Sequence, residues 1–142
     1  MAIPSPENLE KYREIAAQLP TFSVECLKIA GKQGRIEPLL WNKAQWYIHE
    51  RLEAQMRDLG MVRALILKGR QQGVSTYVAA RFYHVCSRRK GKRVFILTHE
   101  EQATKNLFEM VERYHDNCGE AVRPMTSAAN AKELYFGELD SG

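Results

Sequence analysis

The sequence predicts an α/β fold, a parallel sheet with flanking helices of which these 142 residues form only the N-terminal portion. Three observations carry that expectation. Two short apolar runs, Val62–Leu67 (VRALIL) and Arg93–Thr98 (RVFILT), read as buried strands. Each is followed by a segment with apolar residues at helical spacing, giving the order strand, loop, helix, strand, helix. Finally, a sheet of this type needs about five strands and the chain offers two or three, so the domain reads as truncated.

The elements follow in order. Ser5 and Pro6 suit the cap and first position of a helix carrying Leu9, Tyr12, Ile15, Ala16 and Leu19 inward, and ending before Pro20. The stretch TFSVECLKIAGKQGRIEPLLWN reads as a short helix or turn, then two extended pieces around Gly31 to Gly34. Asn42 can cap the next helix, whose stripe runs Trp41, Gln45, Ile48, Leu52, Met56, Leu59 before Gly60 stops it. A third helix, from about Ser75 to Arg89, turns Val78, Ala79, Phe82, Val85 and Cys86 inward and Arg81, His84 and Arg88 outward. Thr98 and Glu101 have capping-box spacing and would open a helix with Ala103, Leu107, Met110, Val111 and Tyr114 inward. KELYFGELDSG reads as a strand entering a turn. The expected division is residues 1–40 as a helical and extended lead-in and residues 41–142 as the incomplete α/β domain.

Composition narrows the function. A net charge of +4 is compatible with a nucleotide or nucleic-acid partner. Cys26, Cys86 and Cys118 are odd in number and show no C-x-x-C spacing, which suggests neither a disulfide framework nor a zinc site and points to a reducing interior. The N-terminus lacks the apolar core of a signal peptide, and no apolar run reaches the ~18 residues of a membrane span. The four histidines, His49, His84, His99 and His115, have no metal-ligand spacing and read as surface residues.

The stretch LILKGRQQGVST, Leu65–Thr76, nearly matches the phosphate-loop pattern G-x-x-x-x-G-K-[ST]. Gly73 and Ser75 are in frame, but Val74 stands where the pattern has lysine and Lys68 where it has the first glycine. A loop entering a helix N-terminus offers free N–H groups and a favourable dipole to an anion. Lys68 could then supply the missing cation from the front of the loop, Arg70 a second charge on a γ-phosphate, and Ser75 a hydroxyl to Mg²⁺. The bland reading is an ordinary connection with solvated cations and Ser75 as a simple cap. Gln45, a polar residue on an apolar stripe, carries the donor and acceptor needed to read an adenine edge, or it is bonded to backbone or water at the stripe's rim. SRRKGKR, Ser87–Arg93, could touch DNA phosphates, although a helix C-terminus attracts basic residues anyway.

FSVECLKIAGKQGRIEPLLWNKAQWYIHERL, LILKGRQQGVSTYVAARFYHVC and RVFILTHEEQATKNLFEMVERYH together resemble the N-terminal part of the ATPase domain of tailed-bacteriophage large terminase subunits, over most of the chain from Phe22. The resemblance implies a P-loop NTPase with a deviant Walker A loop in which Gln45 contacts adenine, Lys68 serves as the phosphate lysine, Arg70 as a cis arginine finger and Ser75 as the Mg²⁺ ligand. The binding set is Gln45, Lys68, Gly69, Arg70, Gln71, Gln72, Gly73, Val74, Ser75 and Thr76. The resemblance also implies ATP and Mg²⁺ as cofactors, and double-stranded DNA, a portal protein and a small terminase subunit as partners. Assembly into a homo-oligomer in the full-length motor and the cytoplasm of a bacterial host complete that picture. VFILTHEE is the only near-match to a Walker B strand, and its acids are better used opening the next helix. Hydrolysis and DNA cleavage are therefore expected to need sequence beyond these residues. A helicase-like translocase and a non-enzymatic basic α/β module are the alternatives.

Overall fold

The computed structural model describes residues 6–130 and 133–142. Five α-helices dominate it: α1 (Pro6–Ala17), α2 (Leu19–Cys26), α3 (Lys43–Leu59), α4 (Val74–Arg88) and α5 (Glu101–Asn117). Two small antiparallel ribbons accompany them. In the first, β1 (Lys28–Ala30) pairs with β2 (Ile36–Pro38), placing Ile29 opposite Glu37. In the second, β3 (Ala128–Asn130) pairs with β4 (Glu133–Tyr135), placing Ala129 opposite Leu134. A 3₁₀ turn, Gly137–Leu139, follows.

The expected parallel sheet, the N-terminal portion of a P-loop NTPase core, is overturned: among the described residues every ladder is antiparallel and neither apolar run is a strand. The physical reason lies in the hydrogen bonds. A parallel strand finds its partner only across a long crossover, whereas a hairpin's partner is a few residues away. At Arg63 the Gln55 side chain takes the partner's place, Oε1 accepting from the Arg63 N–H at 2.7 Å and Nε2 donating to its carbonyl at 3.0 Å. At the start of the second run Gly142 bonds on either side of Arg93, its N–H donating to the Lys92 carbonyl at 3.0 Å and its carbonyl accepting from the Val94 N–H at 2.9 Å. Leu65 and Leu67 are fully exposed, and Phe95 and Leu97 are 83% and 94% exposed. Val94, Ile96 and Thr98 alternate with them and are half-buried, so the second run has the side-chain alternation of an extended chain without the pairing.

The helices keep closer to expectation. Pro6 begins α1, and the Ser5 cap lies outside the described residues. Pro20 does more than end a helix. It sits in the first turn of α2, where its missing N–H costs nothing, so one proline separates two helices and starts the second. Gly60, at φ 68°, closes α3 in the left-handed conformation that glycine adopts freely. The capping box expected at the start of α5 does not form: Glu100 is the N-cap residue, and Thr98 Oγ1 instead donates to the Glu100 carbonyl at 2.7 Å.

The core forms around α4, which packs against α2, α3 and α5. Its main cluster joins Phe22, Leu27 and Leu39 from the N-terminal elements to Ala80, Tyr83 and Tyr114. A second cluster, of Leu19, Leu52 and Tyr77, closes the side facing α3. Three helices therefore pack around α4, and Tyr77 and Tyr83, outside the expected apolar stripe, are among its most buried residues.

Candidate functional site

The site is built where α3 and α4 begin. Asn42 caps α3 with its side-chain oxygen, accepting from the Gln45 N–H at 3.0 Å, and Gln45 Oε1 accepts from the Asn42 N–H at 2.9 Å, a reciprocal capping box. Each residue then uses its remaining amide nitrogen on the loop ahead of α4. Gln45 Nε2 donates to the Gly73 carbonyl at 2.8 Å, and Asn42 Nδ2 donates to the Gln72 carbonyl at 3.2 Å. One helix cap thus holds the other helix's entry loop.

Gly73 has φ 71° and is approached so closely by Gln45 that an added Cβ would lie 2.8 Å from Nε2. Glycine is needed here on both counts. Gln71 also has positive φ, 56°, a conformation that non-glycine residues rarely hold outside turns and functional loops. Val74 is 6% exposed, which explains why the position that carries lysine in the common loop pattern carries an aliphatic residue: it faces the interior. Ser75 is exposed at the second position of α4.

Lys68, Gly69, Arg70, Gln71 and Gln72 are all exposed, and neither Lys68 nor Arg70 has an ion-pair or hydrogen-bond partner among the described residues. Thr76 is half-buried, and its carbonyl accepts from Tyr114 Oη at 3.1 Å, tying the first turn of α4 to α5. A hollow of about 140 Å³ beside Val74 and Ser75 is lined by Val78, Ile96 and Leu107. A larger cleft of about 460 Å³ lies further along α4, between Phe82, Phe108 and Leu134, and includes none of the loop residues.

The sequence-based expectation for Gln45 meets a structural competitor. The residue is 3% exposed, and both ends of its amide are already engaged by backbone. The structure brings Gln45 to the loop but uses it there as an anchor. Its position three residues after Asn42 is the signal that predicts this, since N3 glutamine is the standard partner of an N-cap asparagine in a capping box.

One turn into α4, Tyr77 belongs to a polar chain that sequence reasoning missed. Arg81 Nη1 donates to Glu53 Oε1 at 2.6 Å and to Tyr77 Oη at 3.2 Å, and Tyr77 Oη lies 3.0 Å from His49 Nδ1. Burial lowers the His49 pKa, against the opposing pull of Glu53. Burial pushes the Glu53 carboxyl up, yet the Arg81 hydrogen bond and charge leave it below its ordinary value. The Trp41 ring closes the group, 4.8 Å from the His49 ring and 5.1 Å from that of Tyr77. His84 and His115 are likewise drawn inside, His84 Nε2 donating to the Ala16 carbonyl at 2.7 Å and His115 Nδ1 lying 3.0 Å from Tyr83 Oη. The expectation of four surface histidines therefore holds for His99 alone.

At the other end of α4 the basic run is partly absorbed by the fold. Arg93 Nη2 donates to Asp140 Oδ1 at 2.8 Å, and the Arg88 guanidinium sits 5.5 Å from the centre of the Phe22 ring. Lys90 and Lys92 stay exposed. Among the described residues no group of three or more His, Cys, Asp or Glu side chains is placed to hold a metal ion. No helix among the described residues is long and apolar enough to cross a membrane. No protein-family model matches the chain, and no curated protein is significantly similar to it.

Proposed function

We propose that residues 68–76 bind the phosphates of a nucleoside triphosphate, with Lys68 and Arg70 supplying positive charge, the start of α4 supplying N–H groups and Ser75 a hydroxyl toward Mg²⁺. The observation that carries the proposal is the Gln45–Gly73 hydrogen bond, which joins two candidate motif positions 28 residues apart in sequence. A solvated connection has no use for a buried glutamine clamp, a left-handed Gln71 and two unpaired cations in one six-residue stretch. The terminase resemblance makes the nucleotide ATP and the work DNA packaging, with Arg70 placed to stabilise charge on the γ-phosphate. In this reading Gln45 is first a positioning residue for the loop, and contact with adenine would require it to exchange one of its backbone partners.

Calorimetric titration with a non-hydrolysable ATP analogue and Mg²⁺ tests the proposal. Lys68→Ala is expected to weaken binding by about tenfold or more, the scale of one lost charged contact to phosphate. Equal affinity for wild type and Lys68→Ala, or no binding by wild type, overturns it.

A further inference from the structure

The two carboxamides that reach the loop from α3 are spent on backbone. Gln45 Oε1 accepts from the Asn42 N–H at 2.9 Å, and its Nε2 donates to the Gly73 carbonyl at 2.8 Å. Asn42 Oδ1 accepts from the Gln45 N–H at 3.0 Å, and its Nδ2 donates to the Gln72 carbonyl at 3.2 Å. Reading the edge of an adenine takes a donor and an acceptor from one amide at once. For Gln45, 3% exposed, presenting that pair would open the α3 cap and release the Gly73 carbonyl together. Phosphate asks for no such rearrangement, because Lys68, Arg70 and Ser75 are all exposed.

Among the described residues, nothing beside the loop is shaped for a base. The hollow at Val74 and Ser75 holds about 140 Å³, below the ~300 Å³ at which pockets begin to bury a ligand, and Ser75 is the only polar residue in its wall. The larger cleft includes no loop residue. Gln72 Nε2 folds over Gly69, 3.6 Å from where a Cβ would stand, and Gln71 is exposed, where water competes for its amide. Trp46 and Tyr47, exposed and next after Gln45 on α3, offer ring faces on which any base stacks. We infer that residues 68–76 select a triphosphate chain and not a base, so that purine and pyrimidine nucleoside triphosphates and inorganic triphosphate are one class of ligand for this loop. This specificity rests on the phosphate site proposed above, with Gln45 holding Gly73 in place for every such ligand alike.

Calorimetric titration of the full chain in Mg²⁺ with the β,γ-imido analogues of ATP, GTP and CTP, and with inorganic tripolyphosphate, tests this specificity. Dissociation constants of the nucleotides are expected within about threefold of one another and that of tripolyphosphate within about tenfold of them, whereas a glutamine reading adenine through a bidentate pair would separate ATP from GTP by about 5- to 150-fold. Gln45→Ala should weaken all of these ligands by a common factor. A preference of about fivefold or more for one base, a Gln45→Ala loss confined to the ATP analogue, or nucleotide binding without tripolyphosphate binding would each overturn base indifference and leave the phosphate site standing. Absence of binding by every ligand would overturn both. The wild-type ratios decide the matter even where Gln45→Ala does not fold.

Discussion

The entry to α4 and the two apolar runs that flank it are opposite solutions to the same requirement, that backbone groups leaving a helix or strand find partners. At the entry, Asn42 and Gln45 satisfy the start of α3 with two side-chain bonds and hold the Gln72 and Gly73 carbonyls of the loop with two more. In residues 62–67 and 93–98 the partners are Gln55 and Gly142, each at a single position, and the large side chains beyond them face solvent. Conformation set by nearby polar side chains survives without a neighbour, whereas conformation that depends on a ladder does not.

Removing the ring one turn into α4 should break this contrast most severely. Tyr77→Ala deletes a fully buried ring and orphans part of the Arg81–His49 chain, and should cost about 3–5 kcal/mol in chemical denaturation. A loss under 1 kcal/mol would mean that the ring is not part of the core.

Gly73→Ala comes next. It combines a positive φ with a Cβ pressed against Gln45, and should cost about 1–3 kcal/mol. Gln45→Ala should cost about 1–2 kcal/mol through the lost cap and the lost loop bond. If the close approach is responsible for part of the glycine effect, the double variant will be less destabilised than the sum of the two; strict additivity would separate the two sites.

Acid should weaken the packed histidines and leave the apolar runs untouched. His49, His84 and His115 all have pKa values lowered in the fold, chiefly by burial. The unfolded chain therefore binds protons first as pH falls, so the stability these neutral rings contribute is fully present above about pH 6.5 and declines below it. Denaturation midpoints that stay constant from pH 7.5 to 5.5 would contradict this.

The smallest effect is expected where the strands were predicted. Leu65→Asp and Leu97→Asp alter exposed side chains and should change stability by no more than about 0.5 kcal/mol. A cost of several kcal/mol would show that these runs are paired and buried in solution, restoring the sheet that the hydrophobic pattern suggested.

Several elements were legible because their causes are local. Asn42 and Gly60 mark the ends of α3 by cap chemistry, Gly31 to Gly34 turn the first ribbon, and apolar spacing outlines α4 and α5. The loop's special residues were also visible, since Gly73 and Ser75 stand in a recognisable frame with Lys68 and Arg70 ahead of them. What those residues touch was not. A buried-strand pattern reports only that a segment is apolar and β-prone, and it carries no information about whether a partner strand exists.

The sequence by itself determined the helix ends, the turn glycines and the unusual order of charges in the loop, because each follows from the conformational limits and hydrogen-bonding capacity of residues a few positions apart. Only the tertiary structure decided that Val62–Leu67 and Arg93–Thr98 stay outside any ladder, that Val74 points inward, and that Gln45 is committed to Gly73. Those outcomes depend on groups distant in the chain competing for the same neighbours, and the winner is set by packing around α4 rather than by any residue's own preference.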